Sequence, residues 1–227
     1  AQEIRYQQEY ENTIAGVKPH TAAQTLERGY GDCKDKAVLF IQLAKEASLK
    51  VDYVILKTKD AGRFQKKIPN QQFNHAIVYI PQQEGIEKGF FMDPTVDLLE
   101  IGSLRQDDQG STALKLDPDS GKYEFMDIPY QTPEYNYQKH DRTYQISDNG
   151  KLTVTDSLVM KGGISSSFRQ VLRTKDSGNK MFQRIANTLF NGGVLEKYDH
   201  SDIEDISKPF TINYSADVTN LVSQTEN

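Results

Sequence analysis

The sequence predicts an α+β chain: a helix bearing Cys33 packed on an antiparallel sheet, followed by a mostly β domain with helical insertions. Three observations carry that expectation. From Asp32 to about Ser48 the apolar residues Ala37, Phe40, Ile41, Ala44 and Ala47 recur every three or four positions, the stripe of a half-buried helix. Val51–Lys57, Phe73–Ile80 and Gly89–Asp93 are rich in β-branched and aromatic residues, as strands are, and a turn around residues 82–88 makes the last two antiparallel neighbours. Asp148-Asn149-Gly150, set between Tyr144–Ile146 and Leu152–Val159, is the strongest short hairpin signal in the chain.

The remaining elements follow in order. Ile4, Tyr6, Tyr10 and Ile14 fall at loosely helical spacing and predict a short helix over residues 3–15. Pro19-His20-Thr21 opens a second short helix through Thr25 and Leu26, because Pro and Thr favour the first turn. Gly29 and Gly31 bracket the turn before Cys33, with Asp32 as the N-cap of the helix that follows. Residues 58–71, with Gly62 and Pro69, form a polar loop long enough to cover a cleft. Asp117-Pro118-Asp119-Ser120-Gly121, then Pro129 and Pro133, mark a shift in composition that separates a domain at residues 1–120 from one at 134–227. In the second, Ser165–Leu172 and Lys180–Phe190 read as helices, the latter stopped by Gly192-Gly193, and Val194–His200 and Pro209–Ala216 as strands.

Composition narrows the function classes. With 227 residues, 37% hydrophobic and 26% charged, the chain can build one large core or two ordinary ones. A net charge of −5 argues against a general nucleic-acid binder, which would carry a basic patch. No apolar run approaches the ~18 residues that suggest a membrane span. One cysteine excludes an internal disulfide framework and a cysteine-rich zinc site. The chain opens without methionine or signal peptide and stops just after a strand, as a processed or excised segment would.

Cys33 is the most informative residue. It lies at the start of its helix among Asp32, Lys34, Asp35 and Lys36, poor company for a core side chain. The helix dipole and the free N–H groups of a first turn favour a thiolate there. His75 follows in a strand, in Asn74-His75-Ala76, and Asp93 at the end of the next, in Met92-Asp93-Pro94-Thr95. Cysteine, histidine and aspartate are the groups needed for a thiol nucleophile, a base, and a residue that fixes the base. His20, His140 and His200 sit in polar contexts as surface residues, and Asp107, Asp108, Asp117 and Asp119 read as solvated loop; none has metal-ligand spacing. No glycine-rich phosphate loop is present, and no cofactor is expected.

The string Gly31-Asp32-Cys33-Lys34-Asp35-Lys36-Ala37, with Phe73-Asn74-His75-Ala76 and Met92-Asp93-Pro94-Thr95, resembles the transglutaminase-like superfamily core, in its bacterial cell-envelope branch with a trailing β-rich domain. The resemblance covers about residues 3–117 and implies a papain-like fold and a triad of Cys33 nucleophile, His75 base and Asp93 orienter. It further implies a protein or peptide substrate, a thioester intermediate, an amine or water as acyl acceptor, no metal, and a periplasmic or otherwise extracytoplasmic setting. True transglutaminases use a tryptophan beside the oxyanion, and this chain has none. Tyr30, Asn74 or a residue of the 58–71 loop is then the candidate for that contact. Two other readings compete: a peptide- or glycan-binding module that keeps the fold without the chemistry, and a redox-sensing thiol.

Overall fold

The computed structural model describes residues 3–9, 14–65, 67, 71–189 and 191–218, which form an α+β chain divided into two compact units. The first unit holds residues 1–97 and 101–132, and the second 98–100 and 133–227.

In the first unit the order is β1 (Arg5–Tyr6), α1 (Ile14–Val17), α2 (Ala22–Arg28), β2 (Tyr30–Gly31), α3 (Cys33–Glu46), β3 (Asp52–Leu56), a 3-10 turn (Lys59–Ala61), β4 (His75–Ile80), β5 (Phe90–Met92), β6 (Thr112–Leu116) and β7 (Tyr123–Asp127). The last five strands make one antiparallel sheet in the order β5-β4-β3-β6-β7. One face packs on α3 through Ala37, Ala44, Ala76, Val78 and Ile80. Val54, Leu56, Ile77, Phe91 and Ala113 on the other face are covered by Leu104 and Ile128. Both faces are therefore buried, which is why β3 and β4 read as nearly continuous apolar runs.

Two expectations are corrected here. Arg5 and Tyr6 are not helical but extended, pairing in parallel with Tyr30 and Gly31. Their backbone is taken up by the Arg5 N–H to the Gly29 carbonyl at 3.1 Å and the Gln7 N–H to the Gly31 carbonyl at 3.0 Å. The helical stretch of 3–15 is reduced to the start of α1 at Ile14, and Tyr10 lies outside the described residues. The Asp117–Gly121 segment is the turn of the β6–β7 hairpin inside the first unit, closed by Asp117 accepting from the Asp119 N–H at 2.9 Å. Those two strands lack clean alternation in sequence, and β7 is mostly exposed.

The second unit runs β8 (Tyr137–Ile146), β9 (Leu152–Lys161), α4 (Gly163–Leu172), α5 (Lys175–Leu189), β10 (Val194–His200) and β11 (Phe210–Val218). Its antiparallel sheet has the order β10-β11-β9-β8, and the Asp-Asn-Gly turn joins β8 to β9 with Ile146 opposite Leu152. The core gathers Leu158, Met160, Leu172, Phe182, Phe210, Ile212 and Tyr214. Arg169 is buried beneath it, donating to the carbonyls of Asp202, Ile203 and Lys208 at 2.9, 2.6 and 3.0 Å.

Candidate active site

Cys33 is the first residue of α3, and its position is fixed by the cap before it. The Asp32 carboxylate accepts from the N–H groups of Lys34 and Asp35 at 3.2 and 3.4 Å, while Asp35 accepts from the Asp32 N–H at 3.3 Å. This reciprocal capping box satisfies donors that the helix leaves open. Asp35, fully buried, also accepts from the His20 N–H at 2.8 Å and faces its ring at 3.1 Å. His20 is therefore part of the support of α3, which corrects its reading as a surface residue. Gly31 is needed for the close approach of β2: a Cβ there would meet the Asp35 Cβ at 2.7 Å.

His75 opens β4, and by strand alternation it shares a face with Ile77 and Tyr79. One step past the Val78–Met92 pair, Asp93 continues the face of Phe91, diagonal to His75. The two side chains meet: His75 Nε2 lies 3.0 Å from Asp93 Oδ2. The other Asp93 oxygen accepts from the Thr95 N–H and hydroxyl at 2.8 and 2.6 Å, so Asp-Pro-Thr is a turn that aims the carboxylate. Cys33 acts on the His75 ring as a side-chain partner that favours its protonated form, and with Nε2 committed to Asp93 the nitrogen left for it is Nδ1. The structure thus brings Cys33, His75 and Asp93 into one chain of contacts.

Burial and charge act against each other at His75. Burial would lower its pKa, but the hydrogen bonds to Asp93 and Cys33 and the charges of Asp93 and Asp108 outweigh it and push the imidazole up to about 10. At Asp93 burial would raise the pKa, and the His75 contact with the Thr95 bonds holds it below the usual carboxylate range. His75 and Asp93 are buried, whereas Cys33 is half-buried. Of the three, Cys33 is the least buried residue.

Two neighbours carried no signal as site residues in the sequence. Tyr6, held beside β2, lies within electrostatic reach of Cys33. Its partial burial and the negative charges of Cys33 and Asp32 push its phenol up to about 12, so it carries a proton at neutral pH. Asp108 is fully buried, with Oδ1 3.9 Å from His75 Nε2, which corrects the reading of that aspartate as solvated loop. Burial first, then the charge of Asp93, pushes the Asp108 carboxyl up to about 7.

Tyr30 and Asn74 are engaged elsewhere. The Arg28 guanidinium lies 4.3 Å above the Tyr30 ring. The Asn74 amide bonds to Thr58 twice, accepting from its N–H at 2.9 Å and donating to its hydroxyl at 2.8 Å. Next to Thr58, the Lys59 N–H donates to the Asp107 carbonyl at 2.8 Å, so Asn74 anchors the loop that holds the Asp107–Asp108 turn. His75, Asp93 and Asp108 bring one ligand-type atom each within 4.8 Å of the others. With Nε2 already donating to Asp93, they form a proton-sharing cluster. In the second unit His140 is exposed, as expected, and its Nδ1 lies 2.8 Å from the buried Asp156, which Arg142 also binds at 2.6 Å.

No family model, curated protein or solved structure matches the chain. Among the described residues no helix is long and apolar enough to cross a membrane. The function has to be argued from the site itself.

Proposed function

We propose that the first unit is a cysteine-dependent acyl-transfer or amide-hydrolysing enzyme of the transglutaminase-like, papain-like type, acting on a protein or peptide. The observation that carries this reading is the linear arrangement Cys33, His75, Asp93, with an accessible thiol at a helix start and a dry histidine–carboxylate pair behind it. In the reaction, Cys33 Sγ attacks the amide carbonyl carbon and the thiol proton resides on His75 Nδ1. His75 returns that proton to the amine as the C–N bond breaks, leaving a thioester. Water or an amine then attacks the thioester, His75 takes its proton, and the acyl group leaves as acid or new amide while Cys33 regains its hydrogen. Asp93 holds the Nε2–H tautomer and the imidazolium throughout. The donors assigned to the developing oxyanion are the Cys33 N–H and the Tyr6 phenol, which is protonated at neutral pH. No cofactor enters this scheme, and the extracytoplasmic setting belongs to the same proposal.

The test is amide turnover on a peptide library by wild type and Cys33→Ala, alongside alkylation of the lone thiol in wild type and His75→Ala. Cys33→Ala is expected to abolish turnover with unchanged circular dichroism. His75→Ala is expected to slow iodoacetamide alkylation at pH 7 at least about tenfold. Turnover retained by Cys33→Ala, or alkylation indifferent to His75, overturns the reading. Peptide binding that survives Cys33→Ala, without any thioester, would favour the binding module.

A further inference from the structure

Asp108 has no role in the scheme above, and its surroundings are unusual for a carboxylate. Neither of its oxygens has a hydrogen-bond donor among the described residues, and the side chain is fully buried. An ionisable group is rarely left in this state unless it shares a proton or answers a nearby charge. Its backbone is held firmly. The Ser111 N–H bonds to the Asp108 carbonyl at 3.2 Å, and the Gly110 N–H bonds to the Ile128 carbonyl at 2.9 Å, with Gly110 at a φ of +75°. Gln109, its neighbour, is pinned by the Leu104 carbonyl at 3.1 Å and the Gln131 N–H at 3.0 Å. The carboxyl group is therefore placed by the turn, not by its own contacts.

The charged groups facing it come from three segments: His75 at the start of β4, Asp93 after β5, and Arg105 with Asp107 on its own loop. Arg105 is drawn to Asp107, with its Nε 2.9 Å from an Asp107 oxygen, and so offers Asp108 no direct bond. Among the described residues the cation within ion-pair distance is the His75 ring, whose Nε2 lies 3.9 Å from Asp108 Oδ1.

Resting on the Cys33–His75–Asp93 reading, we infer that Asp108 is a positioning residue for the reaction. Its negative charge, added to that of Asp93 on the Nε2 side of His75, keeps the imidazolium opposite the Cys33 thiolate into the alkaline range. Protonated, Asp108 is a neutral neighbour and the support falls to Asp93 alone. Because its proton leaves near neutral pH, the site holds the His75 proton more firmly as the medium passes from mildly acid to neutral. The device holds a proton ready for the leaving amine at pH values where an unsupported histidine would have lost it.

The experiment compares Cys33 alkylation by iodoacetate and by iodoacetamide from pH 5 to 11, in EDTA, for wild type, Asp108→Asn, Asp108→Glu and His75→Ala. An anionic reagent is favoured over its neutral analogue only while a cation adjoins the thiolate, so the pH at which the rate ratio falls reports the loss of the His75 proton. The lone cysteine makes the signal unambiguous. In Asp108→Asn, which keeps the shape and removes the charge, that fall is expected at least one pH unit lower than in wild type. Asp108→Glu, which keeps the charge, is expected to hold it within half a unit of wild type. Superimposed wild-type and Asn profiles, or a Glu profile that follows Asn, would sink the assignment of Asp108 and leave the triad standing. A wild type with no preference for iodoacetate, unchanged in His75→Ala, would remove the triad reading itself.

Discussion

At the scale of single residues, the site is a contest between burial and pairing, and Asp108 is where burial wins. A carboxyl whose folded pKa is near 7 and whose unfolded value is ~3.9 binds its proton more tightly in the folded state. Between these values the folded chain holds the extra proton, so its stability falls as pH rises from about 4 to about 7. Asn carries no such proton. Relative to wild type, Asp108→Asn is expected to gain about 2 kcal/mol between pH 4.5 and 6.5, a window below the ordinary histidine range. Urea unfolding at the two pH values measures it, and a difference that does not change with pH refutes it. Sequence exposed Cys33, His75 and Asp93 because each sits in a local pattern: a helix start, a strand, an Asp-Pro-Thr turn. It hid Asp108 and Tyr6 because their placement depends on contacts at long range. Asp107-Asp108 looks like any acidic loop until the turn at Gly110 folds it inward, and Tyr6 reaches the site only through a parallel pairing that leaves no periodic trace.

At the scale of elements, α3 is the one on which the proposed chemistry depends. Its start was legible because Asp32, a good N-cap, stands directly before an apolar stripe. β4 and the β8–β9 hairpin were legible from local signals too, a bounded run of β-branched and aromatic residues and an Asn-Gly turn. β6 and β7 escaped because their residues mix Lys, Asp and Glu with the apolar ones, and their partners decide which face is inside. Asp32→Ala removes the acceptor for the Lys34 and Asp35 N–H groups and the partner of the Lys34 ammonium. The expected cost is about 1–2 kcal/mol in thermal or urea unfolding. Asp32→Asn, which keeps the N-cap acceptor, should recover most of it. Equal losses in the two variants would mean that the cap does not hold the helix start.

At the scale of the whole molecule, the division into units does not follow the chain in one cut. Residues 98–100 belong to the second unit although residues on both sides belong to the first. The chain turns there through Leu98, whose φ of +57° is a strained choice for a residue with a Cβ. Leu98 and Leu99 are buried, and Glu100 pairs with Lys161 of β9 at 3.2 Å. A double Leu98→Ala, Leu99→Ala variant is therefore expected to lower hydrogen-exchange protection in β9 and β11 by about 2 kcal/mol or more, even though it alters a segment flanked by the first unit. Protection lost only in β3 and β4 would show that these leucines serve the first unit instead.

The ribbon formed by Arg5 and Tyr6 has a practical meaning. The buried Lys36 ammonium donates to the Ile4 carbonyl at 3.0 Å, two residues before Tyr6. Trimming the chain by a few residues, whether by a protease or by the choice of an expression start, takes away that carbonyl and the phenol in one stroke. The buried ammonium is then left to the Asp97 carboxylate, 3.7 Å away, and the lost bond costs on the order of 1–3 kcal/mol. On the proposed mechanism such a product would be dull and fragile at once, and its inactivity would pass for misfolding when a donor of the site had been cut off.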